Sequence, residues 1–249
     1  DYLNYRSVLN LCKGYFGQNE EKTFEGELIK AISTVDSELS IHNLNNEIRT
    51  VSYPKTELKH KSQTIIRFDG SHENNKVENP NLEAFQDTGV YVLQNDQTAI
   101  IINGTNCRVQ QYWPHGHNDK LSFTIRHKGK EFFRDPGSFT YTGNPKLRNK
   151  YRSVNAHNSP NHGMEQNLWI DGKQGVFRMV PRSKVEVLSY SKNSIKLSLC
   201  FDGVVHHREW TIGKGGVVVI DESNKPFESN FYPEIRFSNG YGKMLAEFT

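Results

Sequence analysis

Cysteine is scarce in this chain, with only Cys12, Cys107 and Cys200 in 249 residues. An odd, scattered set matches neither a disulfide framework nor a zinc-ligand spacing, so all three read as free thiols. No stretch approaches the length of an apolar membrane span. Internal repeats and low-complexity tracts are also missing, which removes solenoid and array architectures. An excess of one charge is lacking too: 31 Lys and Arg against 28 Asp and Glu leave a net charge of +3. That balance gives no argument for nucleic acid as a partner, although clustered basic residues would suit an acidic polymer. The first residue is Asp and no signal peptide follows, which reads as a processed protein or a fragment of unreadable address.

The residues present describe a polar, soluble chain with a limited core: 35% hydrophobic, 24% charged, mean hydropathy −0.71. Its length permits one large or two modest domains. Tyr5, Val8, Leu9, Cys12, Tyr15 and Phe16 form a helical stripe closed by Gly17, and Phe24, Leu28, Ile29 and Ile32 form a second. Two such short helices need a partner surface to be stable. From about Asp36 to Glu83 the chain reads as linker, with one strand at Ile65 to Phe68.

Beyond that the hydrophobic period becomes two. Strands are expected at Val90 to Leu93, Ala99 to Ile102, Leu121 to Arg126, Glu131 to Arg134, Leu168 to Ile170 and Val176 to Val180. Four more are expected at Val185 to Leu188, Ile195 to Cys200, Val204 to Ile212 and Val217 to Asp221. Lys128-Gly129, Asp171-Gly172, Asp202-Gly203 and Gly215-Gly216 supply turns. Short strands joined by hairpins predict an antiparallel β-sandwich.

Residues 113–163 break this pattern, and long patternless segments are often functional. "HGHNDKLSF" places His115 and His117 two apart on an extended backbone, so both project to one side. His117, Asp135 and His157 make a two-imidazole, one-carboxylate set that suits a divalent ion such as zinc; as surface residues they would simply be hydrogen-bonded. With Lys128-Gly129 as the turn, Asp135 falls opposite about Ser122, so the chain must bend near Asn118 to bring His117 close. His115 is the candidate for acid/base work, or else an exposed loop histidine. His127 reads as surface. His206 and His207 are adjacent in a strand, face opposite ways and read as structural. Arg148, Lys150 and Arg152 form a basic run, either a solvated loop or a site for carboxylate and sulfate groups. The glycines of "DPGSFTYTG" are turn formers or let the backbone pass close to a ligand.

In order, "HGHNDKLSF", "FFRDPGSFTYTG" and "YRSVNAHNS" resemble the heparinase II/III-like polysaccharide lyases. "FQDTGVYVLQND" resembles the start of that family's β-domain, and "YRSVLNLCKGYFG" the last helices of its N-terminal α/α-toroid. The resemblance implies toroid helices over 1–60 and a β-sandwich over 61–249. It implies β-elimination at a uronic acid of an acidic polysaccharide, and a periplasmic or secreted address. By motif, His115 matches the catalytic histidine, and His117, Asp135 and His157 match the ligands of a divalent metal, with zinc expected. Tyr141 or Tyr151 would line the substrate groove, and Arg152 would contact the polyanion. Asn118 and Lys120 depart from the family pattern, and Lys120 adds a charge near the cleft. The family's catalytic Tyr and its Asn or His partner come from the toroid and have no place in this chain.

Two rival readings remain open. One is a non-catalytic carbohydrate-binding or polysaccharide-assembly protein that keeps the metal-bearing sandwich. The other is a cupin-type oxygenase, but cupins place a Glu soon after H-x-H, and here Asp119, Lys120, Leu121 and Ser122 follow.

Overall fold

The structure, a computed structural model, describes residues 57–68, 79–106, 115–169, 175, 177–213, 216–231, 235, 237–238 and 242–243. The expected N-terminal helices, Cys12, Cys107 and the turns at 171–172 and 215–216 lie outside or partly outside the described residues. In chain order the first strands are β1 (His60–Arg67), β2 (Asn81–Phe85), β3 (Val90–Gln94), β4 (Thr98–Asn103), β5 (Phe123–His127) and β6 (Lys130–Phe133). A helix, α1 (Pro145–Arg152), precedes the short strands β7 (Pro160–Asn161), β8 (Leu168–Trp169) and β9 (Met179–Val180). Then come β10 (Lys184–Tyr190), β11 (Ser194–Phe201), β12 (Val204–Gly213), β13 (Gly216–Ser223) and β14 (Glu228–Ser229).

Two five-stranded antiparallel sheets result, ordered β1-β13-β12-β11-β10 and β2-β3-β4-β5-β6. Strict alternation builds them. In β12, Val204, His206, Arg208, Trp210 and Ile212 are buried while Val205, His207, Glu209 and Thr211 are half-exposed. The apolar inner faces share one core, in which Phe123 of one sheet meets Trp210 of the other edge to face at 6.0 Å. Each large apolar side chain removed from water there contributes about 1.5–3 kcal/mol, so Leu197→Ala would cost about 2–5 kcal/mol.

Of the predicted turns, the two that are wholly described carry the backbone that the sequence calls for. Lys128 and Gly129 have φ of 46° and 79°, and Asp202 and Gly203 of 45° and 73°. Two successive positive values define the type I′ turn, whose twist matches the strands.

Three expectations need correction. The 36–83 stretch holds more sheet than expected: β1 begins at His60, and β2 begins at Asn81. The β5–β6 pairing is bulged, with Arg126 opposite Glu131 but Ile125 opposite Phe133. The extra residue moves every later partner by one, so Asp135 lies one position off the expected register. Finally, the patternless segment contains α1. Asn144 caps it by accepting from the Leu147 N–H at 3.0 Å, Pro145 follows, and Lys150 and Arg152 occupy the last turn. Its buried face is Arg148, Tyr151 and Arg152, so no apolar period marks it.

Candidate functional site

The site forms where residues 115–121, 135–139 and 148–158 meet beside the end of β5. The backbone is strained there. His115, Leu121 and Phe139 have φ of 62°, 60° and 53°, a region that bulky residues rarely occupy. Gly137, at φ 79°, is explained by close packing: a Cβ there would stand 2.4 Å from the Ser238 carbonyl. Its N–H donates to Asp135 Oδ1 at 2.9 Å, and the Ser238 N–H donates to the Pro136 carbonyl at 2.8 Å. This glycine therefore lets two backbones approach, and it fixes the Asp135 carboxylate.

Buried amides stitch the segments together. The Asn118 N–H donates to the Arg152 carbonyl at 2.9 Å, and its side-chain amide donates to Glu165 Oε2 at 2.6 Å. The Glu165 carboxylate also accepts from Ser153 Oγ and the Val154 N–H. Gln166 pairs with both backbone groups of Lys120, and Asn158 with both of Phe123. Lys120 is itself fully buried, with Nζ 3.2 Å from Thr105 Oγ1, so its charge is part of the scaffold and not of a cleft surface. Sequence reasoning missed Asn158, Glu165, Gln166 and Asn167; the only available signal was polar residues between two strand blocks.

The expected metal set is brought together. His157 Nδ1 donates to Asp135 Oδ2 at 2.7 Å, and the His117 and His157 rings lie 5.3 Å apart. Arg148 Nη1 donates to His117 Nε2 at 2.7 Å, so a neutral His117 carries its proton on Nδ1. His157 Nε2 is buried without a hydrogen-bond partner among the described residues. By residue type two imidazoles and a carboxylate suit a divalent ion, but His117 Nε2 is committed to Arg148 and only His157 Nε2 is an open donor, so an ion there would displace the Arg148 contact. The contacts are pairwise, and among the described residues no three His, Cys, Asp or Glu side chains form a group able to hold a metal.

Electrostatics separate the three histidines. Burial, then the neighbouring His157, Arg148, Arg152 and Lys120, push His117 well below the usual histidine value. Burial also opposes charge on His157, but Asp135, Asp119 and Glu165 outweigh it and hold its pKa above the usual value. His115 is exposed, and partial burial and Arg148 lower its pKa below the usual histidine value. Burial lowers Arg148 to about 10.

Other expected residues fare differently. Tyr141 is half-buried beside His115, with ring centroids 5.4 Å apart. Tyr151 is 2% exposed and stacks on Phe139, so it does not line an open groove here. Arg152 is 1% exposed, donating to Asn149 Oδ1 and to the Gly175 and Arg178 carbonyls. Those bonds anchor loop backbone and turn the guanidinium away from solvent, against the expected polyanion contact. His127 is not a plain surface residue: it stacks on Phe68 at 4.1 Å and bonds Thr98 Oγ1 at 2.8 Å. His162 lies apart from the site, its Nε2 3.2 Å from His206 Nδ1.

The heparinase II/III-like C-terminal domain family matches residues 77–240, and the chain belongs to that family. Among solved structures, a heparinase III is similar at 22% identity and a TM-score of 0.42, over 60% of this chain and 23% of that one. Heparan sulfate lyase HepC from Pedobacter heparinus is similar at 20% identity and a TM-score of 0.42, over 61% and 23%. The heparinase III BT4657 gene product stands at 19% identity and a TM-score of 0.43, over 61% and 23%. This chain thus spans 23% of the length of these structures. No curated protein matches it.

Proposed function

We propose that this chain is the β-domain share of a polysaccharide lyase that cleaves an acidic polysaccharide by β-elimination at a uronic acid. The observation that carries the reading is His115: an exposed imidazole on a left-handed backbone, with Tyr141 against its ring and the buried Arg148–His117 pair behind it. Elimination takes the C5 proton to a base, forms the C4–C5 double bond with that electron pair, and breaks the C4–O bond as an acid protonates the leaving oxygen. His115 is suited to hold or move one of those protons. The partner acid or base comes from the N-terminal toroid of the same protein. Positive charge near the substrate carboxylate favours the developing enolate. On α1, the exposed cations available for a polyanion are Lys146 and Lys150, in place of Arg152.

His117, Asp135 and His157 hold a divalent ion, zinc by donor type, in this reading. The ion would supply fixed positive charge that orders the β-domain side of the cleft. Donor chemistry and the unpartnered His157 Nε2 support it.

The test uses the intact protein with its toroid on a panel of uronate polymers, following the ultraviolet absorbance of the unsaturated product. His115→Ala should lose about 10²–10⁴-fold in activity while folding normally. Wild-type protein that binds such polymers but never yields unsaturated product would replace the lyase reading with a carbohydrate-binding one.

A further inference from the structure

A catalytic imidazole is commonly oriented by a carboxylate or carbonyl on its second nitrogen. His115 has no such partner among the described residues. It meets two aromatic rings instead. Tyr141 lies 5.4 Å away at an interplanar angle of 80°, and Phe177 lies 5.4 Å away at 63°. These two rings stack on each other at 5.7 Å and 17°, and the Arg148 guanidinium sits over the Tyr141 ring at 4.9 Å. Two separate stretches of chain thus meet at one exposed side chain, whose own backbone is left-handed, and α1 backs one of them through Arg148.

We infer that Tyr141 and Phe177 are positioning residues for His115, with Phe177 setting the plane of its imidazole. The inference rests on the lyase reading above. Two edge-to-face contacts, each favouring one mutual tilt, define a ring plane that one contact would leave loose. They do so without occupying a ring nitrogen, so both stay available for proton transfer with substrate. Tyr141 is held by Arg148, itself fully buried and bonded to His117, which ties the orientation of His115 to the neighbouring cluster. Phe177 completes the box from a distant part of the chain.

The experiment compares Phe177→Leu and Phe177→Tyr in the intact protein, with heparan sulfate, hyaluronan, chondroitin sulfate and alginate as probes. Phe177→Leu keeps the apolar volume and removes the ring. It should lower kcat about ten- to hundredfold, the order expected of a misplaced catalytic group. KM should stay within about twofold, because no substrate contact is lost. Phe177→Tyr, which keeps the ring, should restore kcat to within about threefold. A raised KM with unchanged kcat would make Phe177 a substrate contact and overturn the positioning role. Equal losses in both variants would overturn it as well.

A second measurement needs no turnover. In the NMR spectrum of the wild type, the His115 ring protons should be displaced by the two neighbouring rings, and Phe177→Leu should abolish part of that displacement. Ring shifts like those of a solvated histidine would refute the anchoring directly. Anchored shifts in a protein that cleaves none of the four polymers would count against the lyase reading and leave the anchoring standing.

Discussion

Two buried histidine–carboxylate pairs lie in this domain, and they differ in what surrounds them. His157 Nδ1 meets Asp135 Oδ2 at 2.7 Å, and His206 Nε2 meets Asp221 Oδ1 at the same distance. Both imidazole side chains are wholly buried. Around Asp221 every oxygen is committed. Arg208 donates to Oδ1 at 2.6 Å and to Oδ2 at 3.1 Å, and Ser229 Oγ adds a bond to Oδ2 at 2.9 Å. The other nitrogen of His206 faces His162. The Asp135 carboxylate accepts from His157 and from the Gly137 N–H, and the far nitrogen of His157 has no partner among the described residues. The same two residue types therefore make a closed structural network in one place and an open one in the other. What distinguishes them is whether the second nitrogen is already committed. Arg208 also links the two regions, because its Nη1 donates to the Leu121 and Asn158 carbonyls at 2.9 and 2.7 Å. The closed network thereby holds the backbone on which the open one is mounted.

The largest expected effect lies in the closed network. Arg208→Met leaves Asp221 buried without its cation and should cost about 3–5 kcal/mol in urea unfolding. A loss below about 1 kcal/mol would erase the structural half of the contrast. Next comes metal affinity. The intact protein should bind about one divalent ion per chain. Asp135→Asn should weaken that about 10–100-fold by chelator competition, while Asp221→Asn leaves it unchanged. Equal losses in the two variants would show that the open pair has no special claim on a metal.

The pairs should also answer pH in opposite directions in metal-free protein. Burial would raise the Asp221 carboxyl, but Arg208 and His206 outweigh it and hold it well below the usual range. Its stabilising contribution is present above the ordinary Asp value and is lost as pH falls through the depressed one. Burial lowers His206, so acidification through the ordinary histidine value costs further stability. His157 is raised, so its contribution is full below the ordinary histidine value and disappears as pH rises through the folded one. Comparing unfolding curves of wild type, His157→Gln and His206→Gln across pH 4–9 (a range chosen around the usual values of about 4 and 6.5) would separate the contributions. Identical pH trends in the two variants would dissolve the contrast. The smallest effect is Ser229→Ala, which removes one of several bonds to Asp221 and should cost about 1 kcal/mol. A larger loss would mean that the network around Asp221 is less redundant than its geometry indicates.

The sandwich was legible because alternation acts residue by residue. Val204 to Ile212 reads as a half-buried strand, and β12 spans Val204–Gly213. β2 was hidden, since "NLEAF" is short and sits among polar residues. α1 was hidden for another reason: its buried face is two arginines and a tyrosine, which apolar periodicity cannot register. In the site, motif order singled out His115, His117, Asp135 and His157, and the fold gathers them. It could not assign the basic run. Arg148 and Arg152 went inside and Lys150 stayed out because their positions on one helix face different surroundings.

What the sequence determined by itself is most of the long strands, two of their hairpin turns and the family, because these depend on local periods and on ordered short motifs. Only the tertiary structure decided which polar groups are committed. Phe177 reaches His115 across some sixty residues of chain, and Arg208 reaches Leu121 across 87. A buried charge or ring takes its role from whatever the fold packs against it, and no spacing along the chain records that.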